Sequence, residues 1–330
     1  MKSFAFAAVI GVATAIDANQ LGYLNHLAKF TRQVETEAEF NMRAQIFAEV
    51  DAFINENNAS DATHVAGHNK FSDWTYAEYK NLMGYRRAPG TRPEGVVPTA
   101  NSIPASVNWV ELGGVTDVKD QGQCGSCWSF STTGSLEGAH FIATGELLSF
   151  SEQQLVDCAF LGYGNLACNG GLQDNAYNYY EDGHKAELES VYPYFSGTTM
   201  SKGTCNYNAD STTAVSVSSY THVAEGSASG MRAALVQQPL AVAIEADTRV
   251  FQTYSSGVLS GTACGENLDH AVLAVGYGTD AATGLDYFLV KNSWSSSWGD
   301  QGYIKLAATA DGTAGTCGIQ LDAEWPTTSQ

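Results

Sequence analysis

Gln121-Gly-Gln-Cys124-Gly-Ser-Cys127-Trp-Ser-Phe-Ser131 decides how the rest of this 330-residue chain is read. Glycine and small residues lead into Cys127, and a helix is expected from about residue 126 to residue 141. A thiol in the first turn of a helix sits at the positive end of the helix dipole. It also lies beside unpaired backbone N–H groups, and both effects favour the thiolate. A thiolate is a nucleophile. Gln121, six residues upstream, offers a side-chain amide that can hydrogen-bond an oxyanion developing on an attacked carbonyl. The stretch reads as a covalent-catalysis site.

A cysteine nucleophile needs a base, and the segment from Ile103 onward holds four histidines: His140, His184, His222 and His270. His140 falls inside the expected helix, His222 in a Ser/Thr-rich stretch, and His184 behind a Glu-Asp-Gly turn. His270 stands at the mouth of an apolar strand, Asp269-His-Ala-Val-Leu-Ala-Val-Gly-Tyr-Gly278, which can hold an imidazole rigidly. An isolated histidine is more often structural than catalytic, so its setting is what favours His270. Asn292, within Val290-Lys-Asn-Ser-Trp294, is the best candidate for orienting the ring. Its amide carbonyl accepts the imidazole N–H without adding charge, and Trp294 can shield that bond from water. Cys, His and Asn then stand far apart in sequence, as in nucleophilic triads assembled by folding.

Seven cysteines lie at 124, 127, 158, 168, 205, 264 and 317. In an oxidising compartment this allows three disulfides and leaves one thiol over. A nucleophile accounts for the odd one; a buried unpaired cysteine or an intermolecular bridge are the alternatives. The compartment is read from residues 1–15. Lys2, an apolar run over residues 4–12 and Ala13-Thr14-Ala15 form a secretory signal, with cleavage expected after Ala15. No later stretch approaches the ~20 apolar residues of a membrane span. The net charge of −19 is uneven, −17 from Ile103 onward against −3 over residues 16–102. So acidic a surface repels nucleic acid and anionic membranes, and neither is expected as a partner.

Phe40, Phe47, Val50 and Ile54 recur at three- and four-residue steps and predict a helix over residues 24–58. A loop-rich stretch follows and ends in Arg86-Arg87-Ala-Pro-Gly-Thr-Arg92-Pro-Glu-Gly95, expected to be an exposed linker that is either open to nicking or an ordinary interdomain connection. From Ile103 the composition changes, with all the cysteines and five of the six tryptophans. A second helix is expected to open at Ser151, where Ser151-Glu-Gln-Gln154 resembles a capping box. Short apolar runs at 240–244, 271–275, 287–290 and 303–306 predict strands. A helical half over about 112–217 and a β half over about 218–320 are the expected parts.

The chain resembles the papain family of cysteine peptidases, and within it the cathepsin L-like branch. The residues that carry the resemblance are Gln121-Gly-Gln-Cys-Gly-Ser-Cys-Trp128, Cys168-Asn-Gly-Gly171, Asp269-His-Ala-Val272 and Lys291-Asn-Ser-Trp294, in family order. Upstream, Gly67-His-Asn69-Lys-Phe71-Ser-Asp73 and the spaced residues Glu39, Arg43, Phe47, Ile54 and Asn58 match the family's pro-region, with Val50 where that pattern has asparagine. The resemblance implies an α+β, papain-like fold of two lobes, helical left and β-barrel-like right, with the cleft between them and a helical pro-segment before them. It implies Cys127 as nucleophile, His270 as acid/base and Asn292 as its orienter. Gln121 and the Cys127 N–H would bind the oxyanion. Gly170 and Gly171 would present backbone to an extended substrate. Leu172, Ala243, Leu268, Asp269 and Trp294 would contact substrate, and Asp322 would stand at the base of the main specificity pocket, admitting Arg or Lys beside bulky apolar residues. The family pattern pairs Cys124 with Cys168, Cys158 with Cys205 and Cys264 with Cys317. No metal or organic cofactor is implied. Residues 16–102 would inhibit a monomeric endopeptidase, 103–330, that acts on proteins and peptides in a lysosome-like acidic vacuole or outside the cell. Ser295 departs from the family's glycine after the tryptophan.

The leading rival is a thiol–disulfide oxidoreductase, because Cys124-Gly-Ser-Cys127 is a C-x-x-C at a helix start. A bridge between Cys124 and Cys168 would exclude it. A zinc site is weaker still, because no second closely spaced Cys/His pair completes four ligands. A peptidase-like binding protein is disfavoured by the intact Cys/His/Asn/Gln set. Asn58-Ala-Ser60 is the only N-glycosylation sequon and falls in the expected pro-segment.

Overall fold

The structure, a computed structural model, describes residues 18–88 and 90–329; the secretory-signal reading of residues 1–15 lies outside them. Two helices, α1 (Ala18–Lys29) and α2 (Glu37–Ala59), replace the single helix expected over residues 24–58. Capping chemistry breaks the apolar rhythm. Thr31 takes a left-handed conformation (φ +50°), and the Arg32 N–H turns back to the Leu27 carbonyl at 3.0 Å. Thr36 then caps α2: its hydroxyl accepts from the Glu39 N–H at 3.1 Å, and the Glu39 carboxylate accepts from the Glu35 N–H at 3.2 Å. The buried face of α2 carries Arg43, Phe47, Val50 and Ile54, so valine at position 50 serves as core, packed with Ile54 and Ala66.

Nine strands join one sheet among the described residues: β1 (His64–Ala66), β2 (Val107–Asn108), β3 (Ser216–His222), β4 (Leu240–Ile244), β5 (Tyr254–Leu259), β6 (His270–Thr279), β7 (Asp286–Lys291), β8 (Tyr303–Ala307) and β9 (Ala323–Ser329). Their order is β1-β5-β8-β7-β6-β4-β9-β3, with β2 on β6. All pairs are antiparallel except β5–β8. The four expected strands lie within β4, β6, β7 and β8. The N-terminal segment contributes β1, so part of the sheet edge is built from residues upstream of Ile103.

The helix α3 (Tyr76–Lys80) and the turns around it bury Phe71, Trp74, Tyr79, Leu82 and Met83 in the same apolar core as the sheet. A second core belongs to the helical lobe and includes Trp128, Leu136, Phe150, Leu155, Tyr177 and Tyr180. Its axis is α4 (Cys127–Thr144), buried from Cys127 to His140 and closed by Gly145 in the left-handed region. Ser131 Oγ donates to the Val272 carbonyl of β6 at 2.7 Å, which ties this helix to the sheet. At α5 (Glu152–Cys158), half of the expected capping box forms. Ser151 accepts from the Gln154 N–H, whereas the Gln154 side chain turns away to the Lys185 carbonyl and the Glu187 N–H. Lys119 joins the two helices through Glu137 (3.2 Å) and Glu152 (2.6 Å).

The Arg-rich stretch is largely exposed, as expected of a linker, but two of its arginines turn inward. The Arg87 and Arg92 side chains are 8 and 14% exposed and end on carboxylates of the peptidase segment. Three disulfides close as the family pattern implies, Cys124–Cys168, Cys158–Cys205 and Cys264–Cys317, and Cys127 is the free cysteine. Among the described residues no helix is long and apolar enough to cross a membrane.

Candidate active site

Cys127 is the first residue of α4, and His270 the first of β6, so the helix start and the strand mouth meet at the junction of the lobes. The Cys127 sulfur accepts from the Ala271 N–H at 3.4 Å, immediately after His270. His270 Nε2 and Asn292 Oδ1 are 2.8 Å apart. The Trp294 indole stacks on the imidazole at 4.7 Å with both rings fully buried, and shields that bond from water. The other ring nitrogen, Nδ1, is buried without a partner.

Gln121 is fixed by a donor-only neighbour. Trp294 Nε1 donates to Gln121 Oε1 at 3.1 Å and Ser293 Oγ donates to it at 2.7 Å, which leaves the NH2 group pointing into the cleft. There it donates to the Cys124 carbonyl at 2.8 Å and to the Leu82 carbonyl at 2.9 Å. The amide expected to bind an oxyanion is therefore occupied by a carbonyl of the N-terminal segment.

The following residues of that segment continue along the cleft. The Gly171 N–H donates to the Gly84 carbonyl at 2.8 Å, the Arg86 N–H to the Gly171 carbonyl at 3.2 Å, and the Tyr85 N–H to the Asp269 carbonyl at 2.9 Å. Tyr85 and Gly171 form a parallel bridge. Two glycines make this closeness possible. A Cβ on Gly170, whose φ is +111°, would stand 2.7 Å from the Gly84 carbonyl oxygen, and a Cβ on Gly84 would overlap the Gly125 carbonyl. The Tyr85 ring packs in one apolar cluster with Ala243, Leu172 and Leu268, and its hydroxyl donates to Asp322 at the far end. Of the cleft residues expected from the sequence, Gln121, Gly171, Asp269 and Asp322 thus hydrogen-bond to residues 82–87.

Burial sets the protonation of that pair. It pushes the Cys127 thiol up to about 11, against hydrogen bonds from the Ala271 and Gly84 amides. It pushes His270 down to about 4, against the Asn292 bond. Thiol and imidazole are both neutral here between those limits.

Asp322 was expected from the resemblance, but sequence reasoning missed the charged groups gathered around it, Arg87, Asp174, His222 and Glu324. Asp322 is 3% exposed and binds Arg87 Nε at 2.8 Å and Arg92 Nε at 3.2 Å. Arg87 also grips both oxygens of Asp174 (2.9 and 2.6 Å), a residue of the helix α6 (Gln173–Glu181). His222 and Glu324 stand beside them. One signal was present: Asp322 and Glu324 are two residues apart, hence on one face of an extended chain. The remaining histidines serve structure. His184 stacks on Tyr179 at 4.1 Å, and His140 lies in α4 against Phe150. Ser295 has φ +69°, and its hydroxyl reaches Ser297 Oγ at 3.3 Å. A side chain in that region is strained by about 1 kcal/mol, so Ser295→Gly should stabilise the fold by up to about 1 kcal/mol in denaturant unfolding.

An extended peptide held against a thiol and left uncut is how a precursor protease is kept silent, and that class describes the whole chain. The particular family follows from comparison with known proteins. Residues 103–327 match the papain family cysteine proteases, and residues 23–79 match the cathepsin propeptide inhibitor domain. The chain belongs to the papain family of cysteine proteases, is cathepsin L-like, and carries its own inhibitory propeptide. It is 42% identical over 320 residues to a cathepsin L of Sarcophaga peregrina, covering 92% of this chain and 90% of that one. It is 42% identical over 307 residues to a probable cysteine protease, RD21B, of Arabidopsis thaliana; the match covers 92% of this chain, which spans 64% of that relative's length. Digestive procathepsin L 3 of Tenebrio molitor larval midgut superposes with a TM-score of 0.82 at 34% identity, over 94% of this chain and 99% of that one. The bridge between Cys124 and Cys168, with Cys124 fully buried, leaves no partner for a redox cycle at Cys127.

Proposed function

We propose that the chain is the zymogen of a cysteine endopeptidase in which Cys127 attacks the peptide carbonyl, with His270 as acid and base. The observation that carries this reading is the course of residues 82–87, which lie as an extended peptide across Gln121, Cys127, Gly171 and Asp269. In the open enzyme the proton of the thiol passes to His270, giving a thiolate–imidazolium pair. The sulfur adds to the carbonyl carbon, and the Gln121 amide and Cys127 N–H hold the oxyanion. The imidazolium gives its proton to the amine as the C–N bond breaks, leaving a thioester. Water, deprotonated by the same imidazole, adds to the thioester and releases acid and thiol. Asn292 keeps the ring facing the sulfur through both halves.

Residues 16–102 act as the inhibitor, and the peptidase begins near residues 101–103. Three disulfides and the cathepsin L-like kinship support a route through the secretory pathway, to an acidic vacuole or outside the cell. Thiol-alkylation mapping of acid-processed protein tests the reading. Cys127 should be labelled alone without prior reduction, with activity lost in proportion. Turnover that persists after full Cys127 alkylation would overturn it.

Leu172, Ala243 and Leu268 form the walls of the main specificity pocket and Asp322 its base, accepting bulky apolar and basic residues at P2. Tyr85 and Arg87 support this, because a phenol hydroxyl and a guanidinium both end on Asp322. A charged hydrogen bond is worth about 1.5–3 kcal/mol, so Asp322→Ala should cut kcat/KM for P2 arginine about 10- to 100-fold more than for P2 phenylalanine. Equal losses on the two substrates would remove Asp322 from this role.

A further inference from the structure

The base of the pocket holds more than a specificity carboxylate. His222 and Glu324 are direct cross-strand partners on β3 and β9, and Asp174 comes from the first turn of α6, so two strands and a helix fix the three. They are 5, 2 and 7% exposed. His222 Nε2 lies 3.2 Å from Glu324 Oε2 and 3.6 Å from Asp174 Oδ2. The three ligand atoms all fall within 4.8 Å of one another. Neither ring nitrogen of this buried imidazole has a hydrogen-bond partner, and Glu324 Oε2 has none. On the opposite side of the ring, Nδ1 faces Asp322 Oδ1 at 3.5 Å.

Two features of this set are those of a metal site. Oxygen and nitrogen ligands bound tetrahedrally about 2.1 Å from one zinc ion stand about 3.4 Å apart, and the two measured separations bracket that edge. A carboxylate behind the second ring nitrogen is the usual support of a metal-bound histidine. Charge points the same way. In the precursor, Arg87 and Arg92 set two guanidinium charges against Asp174 and Asp322. When those arginines go, three buried carboxylates face one imidazole, and uncompensated buried charge is costly.

We propose that the processed peptidase binds one divalent cation of the zinc class through Asp174, His222 and Glu324 at the base of the specificity pocket, with Asp322 holding His222 from behind. In the precursor the Arg87 guanidinium takes the cation's place. The bound metal fills the deep end of the pocket and competes with a basic P2 side chain, leaving Cys127 and His270 untouched. The inference rests on the reading that residues 16–102 leave on processing.

The test uses the full chain, processed in acid, with the loss of residues 16–102 verified by mass and Cys127 carbamidomethylated so that its thiolate is not a ligand. Zinc chloride is titrated by calorimetry at pH 8, where protons compete least for the ligands, and cobalt(II) absorbance reports the geometry. The expected result is one zinc per processed molecule, a tetrahedral cobalt band without thiolate charge transfer, and no uptake by the intact precursor. His222→Gln and Glu324→Gln, each checked for an unchanged fold by circular dichroism, should weaken binding at least about 10-fold. No uptake at about 1 mM zinc, uptake indifferent to both substitutions, or equal uptake by the precursor would overturn the proposal. An ion-paired imidazolium, the competing account of the cluster, gives the first of these. Retention of residues 16–102 in the mass spectrum would instead defeat the reading of the pro-segment.

Discussion

A precursor carrying Gly84→Ala should lose much of its latency, with Cys127 alkylated about 5- to 150-fold faster than in the parent precursor and self-processing at a pH where the parent stays intact. The reason is contact between main chains. A Cβ at Gly84 would overlap the carbonyl carbon and oxygen of Gly125 and stand 3.1 Å from the Cys127 sulfur. No rotamer relieves an overlap with backbone, so the segment must lift away. Lifting breaks the 2.8 Å bond from the Gly171 N–H and strains the neighbouring bonds at Tyr85 and Arg86. Overpacking of this kind costs about 1–3 kcal/mol, and each 1.4 kcal/mol is a factor of ten in occupancy. The helices α1 and α2 lie elsewhere, so the variant should still fold. Alkylation rates of intact protein, followed by mass, measure the effect; a rate equal to the parent's would show that Gly84 does not guard the thiol.

The second large effect concerns the unmodified protein. At pH 7 the Cys127 of the intact precursor should react with iodoacetamide at least about 100-fold more slowly than after processing. A thiol pushed up to about 11 by burial is ionised to about one part in 10⁴ at pH 7, whereas an ordinary thiol near 8.5 is ionised to about 3%. His270 adds to the difference. Pushed down to about 4, it stays neutral and provides no cation beside the sulfur. The sign runs one way for both groups: hydration of the cleft lowers the thiol and raises the imidazole, so the ion pair becomes accessible only once residues 82–87 depart. A processed enzyme whose alkylation rate matched the precursor's across pH 5–8 would contradict this.

Much of the site was legible because its signals are local. Cys127 at a helix start, His270 before an unbroken apolar strand, and the amide and indole of Asn292 and Trp294 each sit in a stretch whose pattern fixes their setting. Asp322 was legible only through the family resemblance, and its neighbours Asp174, His222 and Glu324 were not legible at all, because their cluster is made by register. β3 reads Ser-Val-Ser-Ser-Tyr-Thr-His, a polar run resembling a loop, and becomes a strand only through pairing with β9. β9 itself contains Pro326 and follows the last cysteine, so neither periodicity nor motif marks it. Arg87 and Arg92 read as solvent-facing charges, since their partners Asp174 and Asp322 lie 87 to 235 positions away. The single helix expected over residues 24–58 failed for the opposite reason. Its apolar rhythm was real, and a local device, Thr36 with Glu39, overrode it.

The peptide that fills the cleft is continuous with the chain it blocks. Beyond Arg92 it follows the outer edge of the sheet, with Val96 bridged to Val223, before reaching β2 at Val107. While that connection is whole, inhibitor and enzyme are one molecule, and the local concentration of the blocking segment is of millimolar order at any dilution. One cut in the connection makes the same contacts bimolecular, so that nanomolar enzyme sheds a segment that micromolar enzyme still holds. Freshly cut protein should therefore gain activity on dilution and lose it on concentration, and a compartment could govern the protease by its volume as well as by its acidity.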